Sequence, residues 1–203
     1  MSLKETHAST ARFFRAYEAF LADQERDTFF HWLEAMHSLS DRLKTGHGVD
    51  LLGFEEFLAL KCLRNYFHHH AEVKHKIKFL QCDGATLISD LVVLCLLPLA
   101  QVQAALAEES RFREQVQTAM ATAFRQYGQV VNVNPAVFNL VARTALLLGE
   151  HDLEPDDCPP YRQLKDSIDF ERQNGHSHFV DGEIQCHAGS VELVLEQLMT
   201  MDE

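Results

Sequence analysis

Hydrophobic positions in the first third of the chain recur every three or four residues, which is the spacing of one face of an α-helix. Two sets of residues carry the repeat, with a polar stretch between them: Phe13, Phe14, Tyr17, Phe20 and Leu21, then Phe29, Trp32, Leu33, Met36 and Leu39. We therefore predict two helices that pack as a hairpin. The segment 44–53 (KTGHGVDLLG) holds three glycines and predicts the end of that hairpin.

The middle of the chain continues the helical pattern. A third helix is predicted from residue 54 to about residue 79, with the Cys-Asp-Gly at 82–84 as its stop signal. The same reasoning predicts helices at residues 85–97, 99–127 and 135–149. Asn134-Pro135 is a typical helix start. The predicted fold class is all-α, a helical bundle.

The composition changes after residue 150. Residues 150–203 contain fourteen acidic side chains and three basic ones, in a chain whose net charge is −12. The segment 151–160 (HDLEPDDCPP) predicts a rigid acidic linker. We therefore expect a helical bundle domain over residues 1–150 and a small acidic C-terminal extension over residues 151–203.

Two elements are expected within the acidic extension. Residues alternate in polarity around Asp181-Gly182 (SHFVDGEIQCH), which predicts a small β-hairpin. The segment 191–198 predicts a short amphipathic helix.

Composition and charge narrow the functional classes. Hydrophobic residues make up 46% of the 203 residues and charged residues 24%, as in ordinary globular proteins. The net negative charge argues against a general affinity for nucleic acids or anionic membranes, so contact with phosphate needs a local basic patch.

Two features indicate a cytoplasmic protein. Cys62 and Cys95 lie in apolar runs, and none of the five cysteines forms a CxxC pair, which predicts free thiols in a reducing compartment. The N-terminal stretch lacks the apolar core of a signal peptide. The most hydrophobic run, residues 87–100, is too short to span a bilayer and contains Asp90, so we expect a buried core helix there.

The segment LRNYFHHHAEVKHK, residues 63–76, concentrates candidate chemistry. From Lys61 to Lys78 there are five basic residues and one acidic residue, a local charge of +4. On a helix Asn65, His69 and Glu72 share one face, whereas Arg64 and His69 lie roughly 140° apart and flank a face.

These residue types suit cleavage of RNA without a metal. A histidine can take the proton of a ribose 2′-hydroxyl or protonate the leaving oxygen. An arginine can hold the scissile phosphate and stabilise its developing charge, and an asparagine can orient the imidazole.

The spacing Arg64-Asn65-x-x-x-His69 resembles the signature of the HEPN superfamily. The members of this superfamily are small helical bundles, often metal-independent ribonucleases of toxin–antitoxin and antiviral systems. The resemblance implies that Arg64 and His69 are the catalytic pair and that Asn65 is the polar residue beside the arginine. It further implies a homodimer in which two motifs face one cleft, no cofactor, and an antitoxin-type protein partner.

A metal site is an alternative interpretation. Two Glu-x-x-His pairs, Glu34/His37 and Glu72/His75, lie on predicted helices, and such pairs with further carboxylates form di-iron sites in helical bundles. The further carboxylates would come from Glu18 and from Glu55 or Glu56. A second candidate set, for loop-bound zinc, consists of His176, His178, Cys186 and His187.

A third interpretation assigns no chemistry to the segment. Histidine- and lysine-rich helix faces are usually exposed surface, in which case His68–His70 contact water while Tyr66 and Phe67 pack inward. The protein would then be a non-catalytic interaction or regulatory module, dimerising through the apolar segment 91–100.

Overall fold

The computed structural model describes residues 3–23, 26–79, 87–91 and 93–199. Within these ranges the chain forms eight α-helices, six short strands and one 3-10 turn (Ala188–Ser190). The helices are α1 (Leu3–Ala22), α2 (Arg26–His47), α3 (Glu55–His69), α4 (Leu99–Glu108), α5 (Arg113–Ala123), α6 (Asn134–Glu150), α7 (Pro159–Gln173) and α8 (Val191–Met199). The strands are β1 (Lys76–Phe79), β2 (Leu87–Ile88), β3 (Val93–Pro98), β4 (Arg125–Tyr127), β5 (Val130–Asn132) and β6 (Gln185–Cys186). None of the described helices is both long and apolar enough to cross a membrane.

Helices α1 and α2 form the predicted hairpin. The rings of Phe20 and Phe29 lie 5.4 Å apart near the connection. At the opposite end the Thr6 hydroxyl and His47 Nε2 are hydrogen-bonded at 2.8 Å, so the two helices run antiparallel. Trp32 is fully buried beside this aromatic cluster. The three-and-four spacing of aromatic residues therefore predicted both helices correctly.

Helix α3 is the central helix. It contacts α2, α4, α5 and α6, and it buries Phe57, Leu60 and Leu63 completely. Glu56 near its start pairs with Arg143 of α6, whereas Arg64 near its C-terminal end pairs with Glu34 of α2. This placement sets the position of the candidate site.

A four-stranded antiparallel sheet with the order β1-β3-β5-β4 lies against the helices. Strand β3 alternates between two apolar environments: Cys95 and Leu97 join the helical core, while Leu94 and Leu96 join a smaller cluster on the other face. Val194 and Leu198 of α8 belong to that smaller cluster. Both faces of β3 are therefore covered.

The mostly helical fold confirms the helical prediction in the main, but a small antiparallel sheet is present. The helix predicted at 85–97 is wrong for the described residues of that range, which include β2 and β3. A strand that is buried on both faces has a continuous apolar sequence, which periodicity cannot distinguish from a buried helix. Here the backbone groups of β3 pair with β1 on one side and β5 on the other. Neighbouring strands decide the conformation of this segment, not local propensity.

The third and fifth predicted helices are shorter than expected. Helix α3 ends at His69, after which the chain extends and β1 pairs with β3; the predicted stop signal at 82–84 lies outside the described residues. The helix predicted at 99–127 is two helices, because the Glu109 carboxylate accepts hydrogen bonds from the backbone N–H groups of Arg111 and Phe112. After α5 the chain forms β4.

Helices α6 and α8 confirm the predictions for 135–149 and 191–198 to within one residue at each end. Helix α7 was not predicted. The hairpin predicted around Asp181-Gly182 is wrong, because β6 pairs with β2, about a hundred residues earlier in the chain. Gly182 instead has a positive φ of 71° and lies against Pro135.

The C-terminal residues contact the bundle at several points. Leu153, Tyr161 and Ile168 are members of the main core cluster. Farther along, residues 178–182 form a strap across α6. The Asn139 side chain exchanges two hydrogen bonds with the backbone of Val180, at 2.8 and 2.9 Å.

Candidate functional site

Arg64 lies between helices α3 and α2 and is only 15% exposed. Its Nη2 donates a 2.8 Å hydrogen bond to Oε2 of Glu34 on α2, and its Nη1 donates to Oδ1 of Asn65 at 3.3 Å. The guanidinium is therefore held on two sides. Arg64 and Asn65, neighbours in the sequence, are thus also hydrogen-bonded through their side chains.

Glu34 joins Arg64 to a histidine that the motif does not contain. Its Oε1 contacts Nδ1 of His68 at 3.1 Å, while its Oε2 binds Arg64. Burial raises the pKa of the Glu34 carboxyl, but the hydrogen bond and charge of Arg64, with help from His68, outweigh it and leave the pKa below its ordinary value. Glu34 is therefore ionised near neutral pH.

His69 occupies the exposed C-terminal end of α3 with His68 and His70 on either side. The rings of His68 and His69 meet edge to face with centroids 4.7 Å apart, and those of His69 and His70 are 6.2 Å apart. His70 also stacks on Tyr66 at 5.8 Å. His69 therefore contacts other imidazoles, whereas His68 contacts a carboxylate.

Arg64 and His69 line different surface depressions. Arg64 lines one of about 360 Å³ together with Glu34 and His37. His69 lines another of about 570 Å³ together with His68 and Phe30. Because Glu34 lines the first and His68 the second, the two depressions meet at the Glu34–His68 pair. Arg64 and His69 of one chain therefore line separate, adjoining depressions.

Three of the five basic residues between 61 and 78 are engaged within the fold. Lys61 lies over the ring of Phe57 at 5.9 Å, Arg64 is paired with Glu34, and Lys78 on β1 donates to the backbone carbonyl of Gln197 in α8. The end of α3 therefore offers imidazoles and one paired guanidinium, and Lys74 beyond it is exposed.

The residues proposed for a di-iron site are dispersed. Glu34 binds Arg64 and His68, and His37 pairs with Asp41 at 3.1 Å. The buried ring of His75 packs on Phe29, with 5.1 Å between centroids. Of the candidate further carboxylates, Glu56 binds Arg143 at 2.9 Å.

The candidate zinc residues are dispersed in the same way. His178 binds Glu171 at 2.7 Å, and His187 accepts a hydrogen bond from the backbone of Gly189 at 3.1 Å. In the part of the chain that the structure describes, no three His, Cys, Asp or Glu side chains are grouped to hold a metal ion. Neither predicted metal site forms there.

Glu34 and His68 are the site residues that the motif missed. A signal for His68 was available, since it follows Arg64 by four residues and so stands about 40° from it around the helix, against roughly 140° for His69. Glu34 lies thirty residues earlier, and only the packing of α2 on α3 brings it to this position.

Comparison with family models, curated proteins and solved structures finds no match to this chain. The resemblance to the HEPN superfamily therefore depends on the motif and its position at the end of a helix.

Proposed function

We propose that this protein is a HEPN-like, metal-independent endoribonuclease of a toxin–antitoxin or defence type, with Arg64, Asn65 and His69 in its site. The observation that supports it best is the guanidinium of Arg64, oriented by Glu34 and Asn65 beside the exposed imidazoles at the end of α3. A fixed cation next to imidazoles is the set of groups that cleavage of a phosphodiester requires.

The proposal includes a homodimer. Arg64 and His69 of one chain line separate, adjoining depressions, and the HEPN proteins that the motif resembles commonly pair two motifs across one cleft. In a dimer that pairs the ends of two α3 helices, Arg64 of one copy faces His69 of the other. Each cleft then contains one residue of the catalytic pair from each chain.

The first experiment measures cleavage of a fluorescent RNA oligonucleotide by purified protein in EDTA. We expect the wild type to cleave, and Arg64→Ala and His69→Ala to lose at least about 100-fold in rate. His176→Ala, which removes an exposed histidine far from α3 in sequence, is the control and should leave the rate unchanged. Absence of cleavage by the wild type, or cleavage that survives His69→Ala, would contradict the proposal.

The second experiment tests the shared cleft by mixing the two inactive variants. A heterodimer of Arg64→Ala and His69→Ala chains contains one cleft with both residues intact and one with neither. We expect the mixture to regain activity after subunit exchange. If the mixture stays as inactive as its components, each site lies within one chain.

A second candidate function is that of a non-catalytic interaction module, for which the outward face of α8 provides support. Val191, Leu195 and Met199 follow one another at four-residue spacing and are all exposed, while Val194 and Leu198, on the neighbouring stripe of the helix, are buried. On this alternative the wild type cleaves no RNA, and Leu195→Glu reduces self-association measured by light scattering.

A further inference from the structure

We propose that His68 is the general base of this site and that Glu34 is its positioning residue. The inference rests on the proposed ribonuclease function and deepens it. Of the three histidines at the end of α3, the sequence motif assigns a role to His69 alone. The contacts there distinguish His68 from its two neighbours.

The hydrogen bond to Glu34 determines which nitrogen of His68 carries the proton. An ionised carboxylate accepts hydrogen bonds and cannot donate them, so Nδ1 of His68 must be the donor in the 3.1 Å contact with Oε1. In the neutral imidazole the lone pair is then on Nε2. Among the described residues Nε2 has no hydrogen-bond partner, and the side chain of His68 is 44% exposed.

Glu34 also prepares His68 for the charge it would acquire. When Nε2 takes a proton the ring becomes an imidazolium, and the adjacent carboxylate stabilises it, as the aspartate does in hydrolase triads. His69 and His70 have only ring contacts among the described residues. His68 is therefore the imidazole at this helix end that is prepared to accept a proton.

The shared carboxylate groups His68 with Arg64. Both side chains bind Glu34 of the same chain, so in the proposed homodimer both come from one copy. The ring of His69 in that chain touches the ring of His68, with 4.7 Å between centroids. We therefore assign the acid to His69 of the second copy, across the proposed cleft.

The reaction then follows from these positions. Nε2 of His68 takes the proton of the ribose 2′-hydroxyl, the 2′-oxygen bonds to phosphorus, and the bond from phosphorus to the 5′-oxygen breaks. The protonated His69 of the other copy gives its proton to that leaving oxygen. The products are a 2′,3′-cyclic phosphate and a 5′-hydroxyl. His68 has gained one proton and His69 of the other copy has lost one. Arg64 stabilises the charge on the non-bridging oxygens.

The test separates the base from the acid by changing the leaving group. When sulfur replaces the bridging 5′-oxygen of the RNA, the leaving group departs as a thiolate and needs no acid to protonate it. We expect His69→Ala to cleave this RNA within about tenfold of the wild-type rate. His68→Ala should remain 100- to 10,000-fold slower than wild type on both RNAs, as loss of a general base predicts.

Subunit exchange provides a second readout. His68→Ala mixed with His69→Ala should regain activity, because one cleft receives both intact residues. His68→Ala mixed with Arg64→Ala should not, because those two residues belong to the same half and each cleft lacks one of them. Activity in the mixture of His68→Ala with Arg64→Ala, together with none in the mixture of His68→Ala with His69→Ala, would overturn the inference.

Glu34 is tested by its effect on turnover and on the tautomer. Glu34→Ala should lower kcat more than it changes KM, and long-range ¹H–¹⁵N spectra should show His68 losing its Nδ1–H preference. If the wild type cleaves RNA and His68→Ala cleaves it at a rate within about threefold of the wild type, this inference is overturned while the proposed function stands. A wild type that is inactive on both RNAs would overturn the proposed function and this inference with it.

Discussion

Two glutamate–arginine pairs link α3 to neighbouring helices, and their surroundings differ. Glu34 and Arg64 are joined at 2.8 Å, and the second carboxylate oxygen of Glu34 binds an exposed histidine. Glu56 and Arg143 are joined at 2.9 Å, and the guanidinium of Arg143 lies over the ring of Phe179 at 4.6 Å. Glu56 itself is buried.

The difference lies in what the rest of the chain does around each pair. The strap of residues 178–182 places Phe179 over Arg143, whose side chain is still 40% exposed, whereas the Glu56 side chain is only 10% exposed. At the Glu34 pair the guanidinium is the more enclosed partner, 15% exposed against 31% for Glu34, and the carboxylate connects it to the exposed imidazole of His68. The two pairs therefore differ in which partner is enclosed, the carboxylate in Glu56–Arg143 and the guanidinium in Glu34–Arg64.

The largest expected effect comes from displacing the strap of residues 178–182, which carries Phe179 over Arg143. Gly182 has a φ of 71°, and a Cβ there would lie 2.1 Å from Cγ of Pro135. We expect Gly182→Ala to lower the free energy of unfolding by about 2–5 kcal/mol, from backbone strain and from displacement of the strap. Urea unfolding followed by circular dichroism measures it.

Gly175→Ala is the matched control for that change. Gly175 has a similar φ of 76°, but nothing lies within 4 Å of the added Cβ. It should therefore incur the backbone strain alone, roughly 1–2 kcal/mol. Equal losses for the two variants would show that the contact with Pro135 contributes nothing.

An intermediate effect is expected from removing the charge of each glutamate. Glu56→Gln leaves Arg143 without its counter-charge in a partly enclosed position and should lower the free energy of unfolding by about 1–3 kcal/mol. Glu34→Gln acts on the more exposed carboxylate, 31% against 10% for Glu56, and should lower the free energy of unfolding by less than about 1 kcal/mol. Urea unfolding curves of the two variants at neutral pH show which one loses more unfolding free energy. A greater loss for Glu34→Gln would contradict the comparison.

Local pattern predicted most of the helices because their apolar residues repeat within the element itself. The repeat through Phe29, Trp32 and Leu33 is visible without any partner. Strand β3 could not be recognised in this way, since its assignment depends on pairing with β1 and β5. Helix α7 has a usable repeat in Tyr161, Leu164 and Ile168, but its charged residues obscured it.

The candidate site shows the same limit. The motif placed Arg64 beside Asn65 because the two are adjacent in sequence. It could not place Glu34, which reaches Arg64 only through the packing of α2 on α3. The partner of a side chain is a tertiary property, and it is this partner that separates His68 from His69.

The smallest effect concerns how the Glu34 pair responds to acid. Its folded-state pKa lies below the ordinary glutamate value of 4.5, chiefly because Arg64 outweighs the cost of burial. A carboxyl with a depressed pKa stabilises the fold above its unfolded pKa and loses that contribution as the pH falls through the folded pKa. The difference in unfolding free energy between wild type and Glu34→Gln should therefore be constant above about pH 5 and shrink below about pH 4.5.

In Arg64→Met only burial and His68 remain to set the pKa of Glu34, so carbon-13 NMR should show the Glu34 carboxyl titrating at a higher pH than in the wild type. Unchanged titration would mean that Arg64 does not control this carboxylate and that the link from guanidinium to imidazole is not electrostatic.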